Sequence, residues 1–134
     1  MPGPFHSLSI ASSGMNVYQT WLDAVADNVA NTNTIRGTDE DAYQARFVIA
    51  QSEEIDGRPA GAAVAGAAFG SAEGVLVYDP SHPLADDEGM VRAPDMDMTN
   101  QMTNMLAAQR AYQANVAAFE RARDAYMRAL EIGT

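Results

Sequence analysis

The chain has 134 residues, enough for one domain, and no cysteine, which excludes disulfides and thiolate chemistry. Eighteen acids stand against eight basic residues, all Arg, for a net charge of −10, so the clustered positive charge that nucleic acids and anionic membranes require is missing. An apolar content of 47% excludes wholesale disorder. The charge is uneven: −2 over residues 1–35, −9 over 36–97 and +1 over 98–134.

Pro2 and Pro4 discourage helix at the start, so helical periodicity is expected from about Ser7, a plausible N-cap, to about Ala30. Leu8, Met15, Leu22 and Val29 recur every seven residues, with Ala11, Tyr18 and Val25 between them. A second seam runs through Ile10, Gly14, Val17, Trp21 and Ala24, so the apolar arc is wide enough to want more than one neighbour. Residues 1–35 contain no Lys or Arg, which is not the pattern of an ordinary cleavable secretory signal. Asn28, Asn31, Asn33 and Gly37, with Thr32 and Thr34, are expected to break the helix by turn chemistry. Asn28, Asn31 and Asn115 carry two readings: they end helices, or they fix register between neighbouring subunits as buried amides.

In the middle, Tyr43, Ala45, Phe47 and Ile49 alternate with Gln44 and Arg46, which predicts a strand with one buried face. Residues 57–74 are Gly/Ala-rich and read as a weak strand or a flexible loop. Residues 75–78 and 90–92 read as short strands, separated by turns at 79–83 and 87–89. The Ala/Gly run at 60–70 is too short and too weakly apolar to span a bilayer.

Asp95 or Asp97 is expected to cap a last helix that ends near Ile132, with Gly133 in the left-handed C′ position. Met98, Met105, Tyr112, Phe119 and Tyr126 repeat at seven, interleaved with Met102, Val116 and Leu130. A seven-residue apolar repeat keeps helices in register along a shared seam. A ladder of Ala107, Ala111, Ala114, Ala118, Ala122, Ala125 and Ala129 would let another helix come close. An antiparallel hairpin within one chain accounts for part of this pattern, and its outer faces can still meet neighbours.

Sites for chemistry are sparse. His6 and His82 are the two histidines, and no Ser-His-acid or paired-carboxylate arrangement has sequence support. Gly61, Gly66 and Gly70 do not sit between a clear strand and a helix, as a phosphate loop would require. The acids around His82 read as a solvated turn, and residues 95–100 fail the EF-hand pattern. The methionines between 90 and 105 read as adaptable packing. No enzyme, cofactor, metal, nucleic acid, small-molecule substrate or direct membrane insertion is expected.

Ile10-Ala11-Ser12-Ser13-Gly14-Met15, followed by Leu22-Asp23-Ala24-Val25-Ala26-Asp27-Asn28-Val29-Ala30-Asn31-Thr32-Asn33-Thr34, resembles the N-terminal signature of bacterial flagellar rod and hook proteins. Asp27 stands where the family's Asn pair has its first Asn. Residues 77–89 and Arg110-Ala111-Tyr112-Gln113-Ala114-Asn115-Val116 narrow the resemblance to the proximal rod proteins of the FlgC type. The resemblance implies a structural subunit of the basal-body rod, the drive shaft from motor to hook. It also implies passage through the flagellar type III export apparatus without a cleaved signal, and assembly in the periplasmic space with copies of itself and other flagellar rod proteins.

The expected architecture is mainly α with a small β region. Two long terminal helices, 1–35 and 97–134, pack as a hairpin or coiled coil in the rod core, and the segment 36–96 is β-rich and outward-facing. The expected assembly interface comprises Leu8, Met15, Tyr18, Trp21, Leu22, Val25, Asn28, Val29 and Asn31, with Met98, Met102, Met105, Tyr112, Asn115, Val116, Phe119, Tyr126 and Leu130. The competing expectation is a soluble helical adaptor or export-chaperone-like protein acting through its C-terminal helix.

Overall fold

The computed structural model describes residues 3–133. It is mainly helical, with α1 (Pro4–Asn31), β1 (Arg46–Ile55), β2 (Arg58–Phe69), β3 (Val75–Tyr78), β4 (Met90–Ala93) and α2 (Met98–Ile132) in chain order. Two separate two-stranded sheets pair β1 with β2 and β3 with β4. No helix among the described residues is long and apolar enough to cross a membrane.

Several boundaries differ from the sequence expectation for identifiable reasons. The first helix starts at Pro4, ahead of Ser7. Proline is tolerated at the first helical position, where its missing N–H would have no partner in any case. The Gly3 carbonyl accepts the His6 N–H at 2.9 Å and closes the first turn. At the other end the Thr32 hydroxyl donates to the Asn28 carbonyl at 3.0 Å, and the Asn31 amide to the Asp27 carbonyl at 2.9 Å. These bonds satisfy the carbonyls a helix end leaves open.

Residues 57–74 are not a flexible loop. Asp56 and Gly57 have φ of 53° and 72°, and this pair of left-handed residues makes the two-residue turn that matches the twist of a hairpin. β2 follows at once. The strand expected over 43–49 begins only at Arg46, and its large residues face the other way: Phe47 and Ile49 are exposed, while Val48 and Ala50 line a cleft beside α1. For α2, Asp97 is the cap, its carboxylate accepting the Thr99 N–H at 3.1 Å. Gly133 does not take the left-handed conformation; its N–H bonds the Leu130 carbonyl at 3.2 Å.

The chain forms two units. The first comprises Met1–Leu22, Val48–Gly66 and Leu106–Thr134, and the second Asp23–Phe47 and Ala67–Met105. Buried apolar residues in the first are Ala11, Val17 and Ala108. In the second they are Ala24, Val25, Ala42, Ala45 and Val91. Both cores are built from small side chains, so backbones approach closely and little apolar volume is enclosed.

Candidate assembly surfaces

In the first unit the helices approach through a glycine. A Cβ at Gly14 would lie 2.5 Å from Asn115 Oδ1, so only glycine lets the Asn115 amide rest on α1. Asn115 is held there by donating to the Ala111 carbonyl at 2.9 Å. Next to it, Ser13 Oγ donates to the Ile10 carbonyl at 2.7 Å and accepts the Ala62 N–H at 3.1 Å. This ties β2 onto α1 at Gly61, whose φ of 124° is open only to glycine and whose Cβ would fall on Ser13 Oγ. The Phe5 and Tyr126 rings meet at 4.6 Å between centroids and 55°, a tilted geometry favourable for aromatic pairs. Phe5 near Tyr126 and Gly14 near Asn115 set the helix segments of this unit antiparallel. Gly14, Val17, Tyr18, Trp21, Val48, Ala50 and Ala62 line an apolar cleft of about 290 Å³.

In the second unit the corresponding contact is polar. Asn28 is 1% exposed and spends its whole amide inside the chain. Its Oδ1 accepts the Arg46 N–H at 2.8 Å and the Tyr43 hydroxyl at 3.4 Å, and its Nδ2 donates to the Arg46 carbonyl at 3.0 Å and to Gln101 Oε1 at 3.1 Å. One side chain thus fixes the start of β1 against α1 and α2. Burial, helped by the nearby Asp27 carboxylate, pushes the Tyr43 phenol above its usual range and keeps it neutral. Asp27 meets Arg46 at 2.6 Å at the surface. Asp86 organises the turn before β4: it accepts the Met90 N–H at 2.8 Å, the Thr38 hydroxyl at 2.9 Å and the Glu88 N–H at 3.1 Å. These bonds, the one from Met90 first, hold its carboxyl below the ordinary value.

Of the eighteen residues expected at an interface, Val25 and Asn28 are buried, Met102 and Leu130 are exposed, and the other fourteen are half-buried. Asn28 therefore has no surface to offer a neighbour, and Asn31 serves the end of α1. Large apolar residues that no seam singled out are also exposed, notably Leu106, Met127 and Ile132 on α2.

Residues 87–132 match the model of the flagellar basal body rod FlgEFG protein C-terminal family. Among relatives, the flagellar basal-body rod protein FlgC of Salmonella typhimurium is 33% identical over 92% of this chain and 93% of its own length. The chain belongs to the FlgC family of flagellar basal-body rod proteins. The FlgC proteins of Escherichia coli O157:H7, at 34% identity over 92% of this chain and 93% of the relative, and of Bacillus subtilis, at 30% over 96% and 97%, agree. The chain is accordingly a structural subunit of the flagellar rod, located at the basal body. The FlgC relatives do not favour a soluble adaptor acting through α2.

Three residues that organise this FlgC-family fold escaped sequence reasoning. Ser13 and Gly14 lie inside the quoted signature but gave no physical reason for their identity, because their partners Ala62 and Asn115 lie 49 and 101 positions away. Gln101 looked like an ordinary polar helix residue. The Asp56-Gly57 pair was a legible hairpin signal.

Proposed function

We propose that the chain is a proximal rod subunit whose terminal helices, within 1–35 and 97–134, form the inner tube while 36–96 faces outward. Its neighbours are copies of itself and other rod proteins. It reaches the periplasmic space through the flagellar type III export apparatus without a cleaved signal and passes torque from motor to hook. The observation that supports this most is on α2. Met102, Leu106, Met127, Leu130 and Ile132 are exposed on a 35-residue helix that also presents small, exposed alanines at 107, 114, 118, 125 and 129. Such a surface suits close helix-on-helix contact with other subunits. A contact repeated with a fixed rotation builds an open helical assembly, and dense packing makes it stiff.

The exposed members of the seam separate assembly from folding. Met102→Asp and Leu130→Asp are expected to keep the helical circular dichroism of the parent yet be absent from detergent-washed basal bodies, with motility in soft agar lost. Leu22→Asp and Val116→Asp, both half-buried, should fail in the same assay and also lose stability. Incorporation of the two exposed variants at parental levels would remove α2 from the interface.

A further inference from the structure

The β3–β4 sheet has one edge that nothing in the described residues covers. Arg92 exchanges both its N–H and its C=O with Arg36, each at 2.9 Å. Its cross-strand partner on the other side, Leu76, therefore sits in a pair that shares no ladder bonds. Antiparallel alternation then directs the Val77 N–H and C=O to Val91, and those of Leu76 and Tyr78 to the outer edge. The Asp79 N–H, bonded to the Gly89 carbonyl at 2.9 Å, falls on the same alternation. Two donors and two acceptors line a strand whose side chains are open on both faces. Leu76 is 52% and Tyr78 69% exposed on one face, and Val75 and Val77 are exposed on the other. Proteins usually shorten, charge or cover such an edge; this one is short but wholly apolar.

Charge decides what can pair with it. Glu73 and Asp79 bracket β3, and Asp87 and Glu88 lie exposed in the turn that leads to β4. The cation on the neighbouring strand is already engaged within the chain: the Arg92 guanidinium donates to the Glu73 and Thr38 carbonyls. The unit as a whole holds twelve acids against three Arg, a net charge of −9. A second copy pairing antiparallel with Leu76 against Leu76 would set Glu73 of each chain opposite Asp79 of the other, and every register brings two units of charge −9 together, which opposes self-pairing. An extended segment with apolar residues alternating with cations would satisfy both the backbone groups and the acidic rim.

We propose that the open edge of β3 is a docking strand for a different protein, which adds an extended segment of alternating apolar and Lys/Arg residues to the β3–β4 sheet. Main-chain bonds to Leu76 and Tyr78 hold the segment, and the acids at 73, 79, 87 and 88 select it by charge.

The test is titration of the ¹⁵N-labelled full chain with an acetylated hexapeptide alternating Lys and Val, and with a control alternating Glu and Val. The Lys/Val peptide is expected to shift the Leu76 and Tyr78 amides and slow their exchange. Its binding should weaken by about tenfold or more between about 0.05 and about 0.5 M salt, as screening of charge requires. Leu76→Pro removes only an outward N–H, a position where proline is tolerated in a sheet, and should abolish binding while the Val77 amide stays protected. The triple variant Glu73→Lys, Asp87→Lys, Glu88→Lys should reverse the preference toward the Glu/Val peptide, and decides the matter alone if Leu76→Pro disturbs the sheet. Equal binding of both peptides to the parent chain, shifts confined to other residues, or no shift at millimolar peptide would overturn the proposal. So would concentration-dependent shifts of the Leu76 and Tyr78 amides in the chain alone, which would name a second copy as the occupant.

Discussion

The helix segments of one unit of this rod protein meet by steric fit and those of the other by hydrogen bonds, and the charges of the two units divide in the same way. The first, with six acids against five Arg, is close to neutral at −1. Its decisive contacts are places where no side chain fits, Gly14 under Asn115 and Gly61 under Ser13. The second, at −9, turns on the Asn28 amide and the Asp86 carboxylate, each of which gathers several backbone and side-chain partners. Steric contacts tolerate changes of charge and pH but not of volume. The hydrogen-bonded contacts depend on their polar atoms, and the one built on the Asp86 carboxylate depends on pH as well.

The largest effect is expected from Asn28→Leu, which strands the Arg46 N–H and C=O and the Gln101 amide in a buried site. Each unsatisfied group costs about 1–3 kcal/mol, so a loss of about 3 kcal/mol or more is expected in urea unfolding followed by circular dichroism. Adding Gln101→Leu should recover part of it, since removing both partners of a buried pair is far cheaper than removing one. A double variant no better than the single would mean that Arg46 alone accounts for the contact.

In the first unit, Gly61→Val should cost about 2–3 kcal/mol, because it combines a disallowed φ with a clash on Ser13. Its signature is loss of the hairpin amide protection in hydrogen exchange. Gly14→Val should cost less, about 1–2 kcal/mol, since the obstacle is the end of a side chain. Pairing Gly14→Ala with Asn115→Ala should be neutral or stabilising, by up to about 1 kcal/mol, because alanine is the better helix former. If Asn115→Ala does not rescue Gly14→Val, the glycine serves something other than this approach.

The smallest effect is one of pH, and it belongs to the second unit alone. The Asp86 carboxyl lies below its ordinary value when folded. Its contribution is therefore complete above the unfolded carboxylate range and fades as pH falls through the folded value. Acidification below about pH 4 should move the Met90 and Glu88 amide resonances together, and Asp86→Asn should remove that titration. The Ser13–Ala62 contact should not respond, as no ionisable group takes part in it.

The order of residues along the chain was enough to place the two helices, the short strands at 75–78 and 90–92, and the family. Each rests on local pattern: seven-residue apolar repeats, capping residues and a motif contiguous in the chain. It also showed where the charge lies, since charge is a count. Tertiary structure alone decided which face of β1 is covered, because Val48 and Ala50 fit beside Tyr18 and Trp21 while the larger Phe47 and Ile49 do not face that cleft. It likewise decided that Asn28 is a clamp within the chain and not a helix end, and that glycine at 14 leaves the room the Asn115 amide occupies. Those outcomes depend on residues 18 to 101 positions apart in sequence, and a pattern read along the chain holds no record of which distant backbone will come within hydrogen-bonding reach.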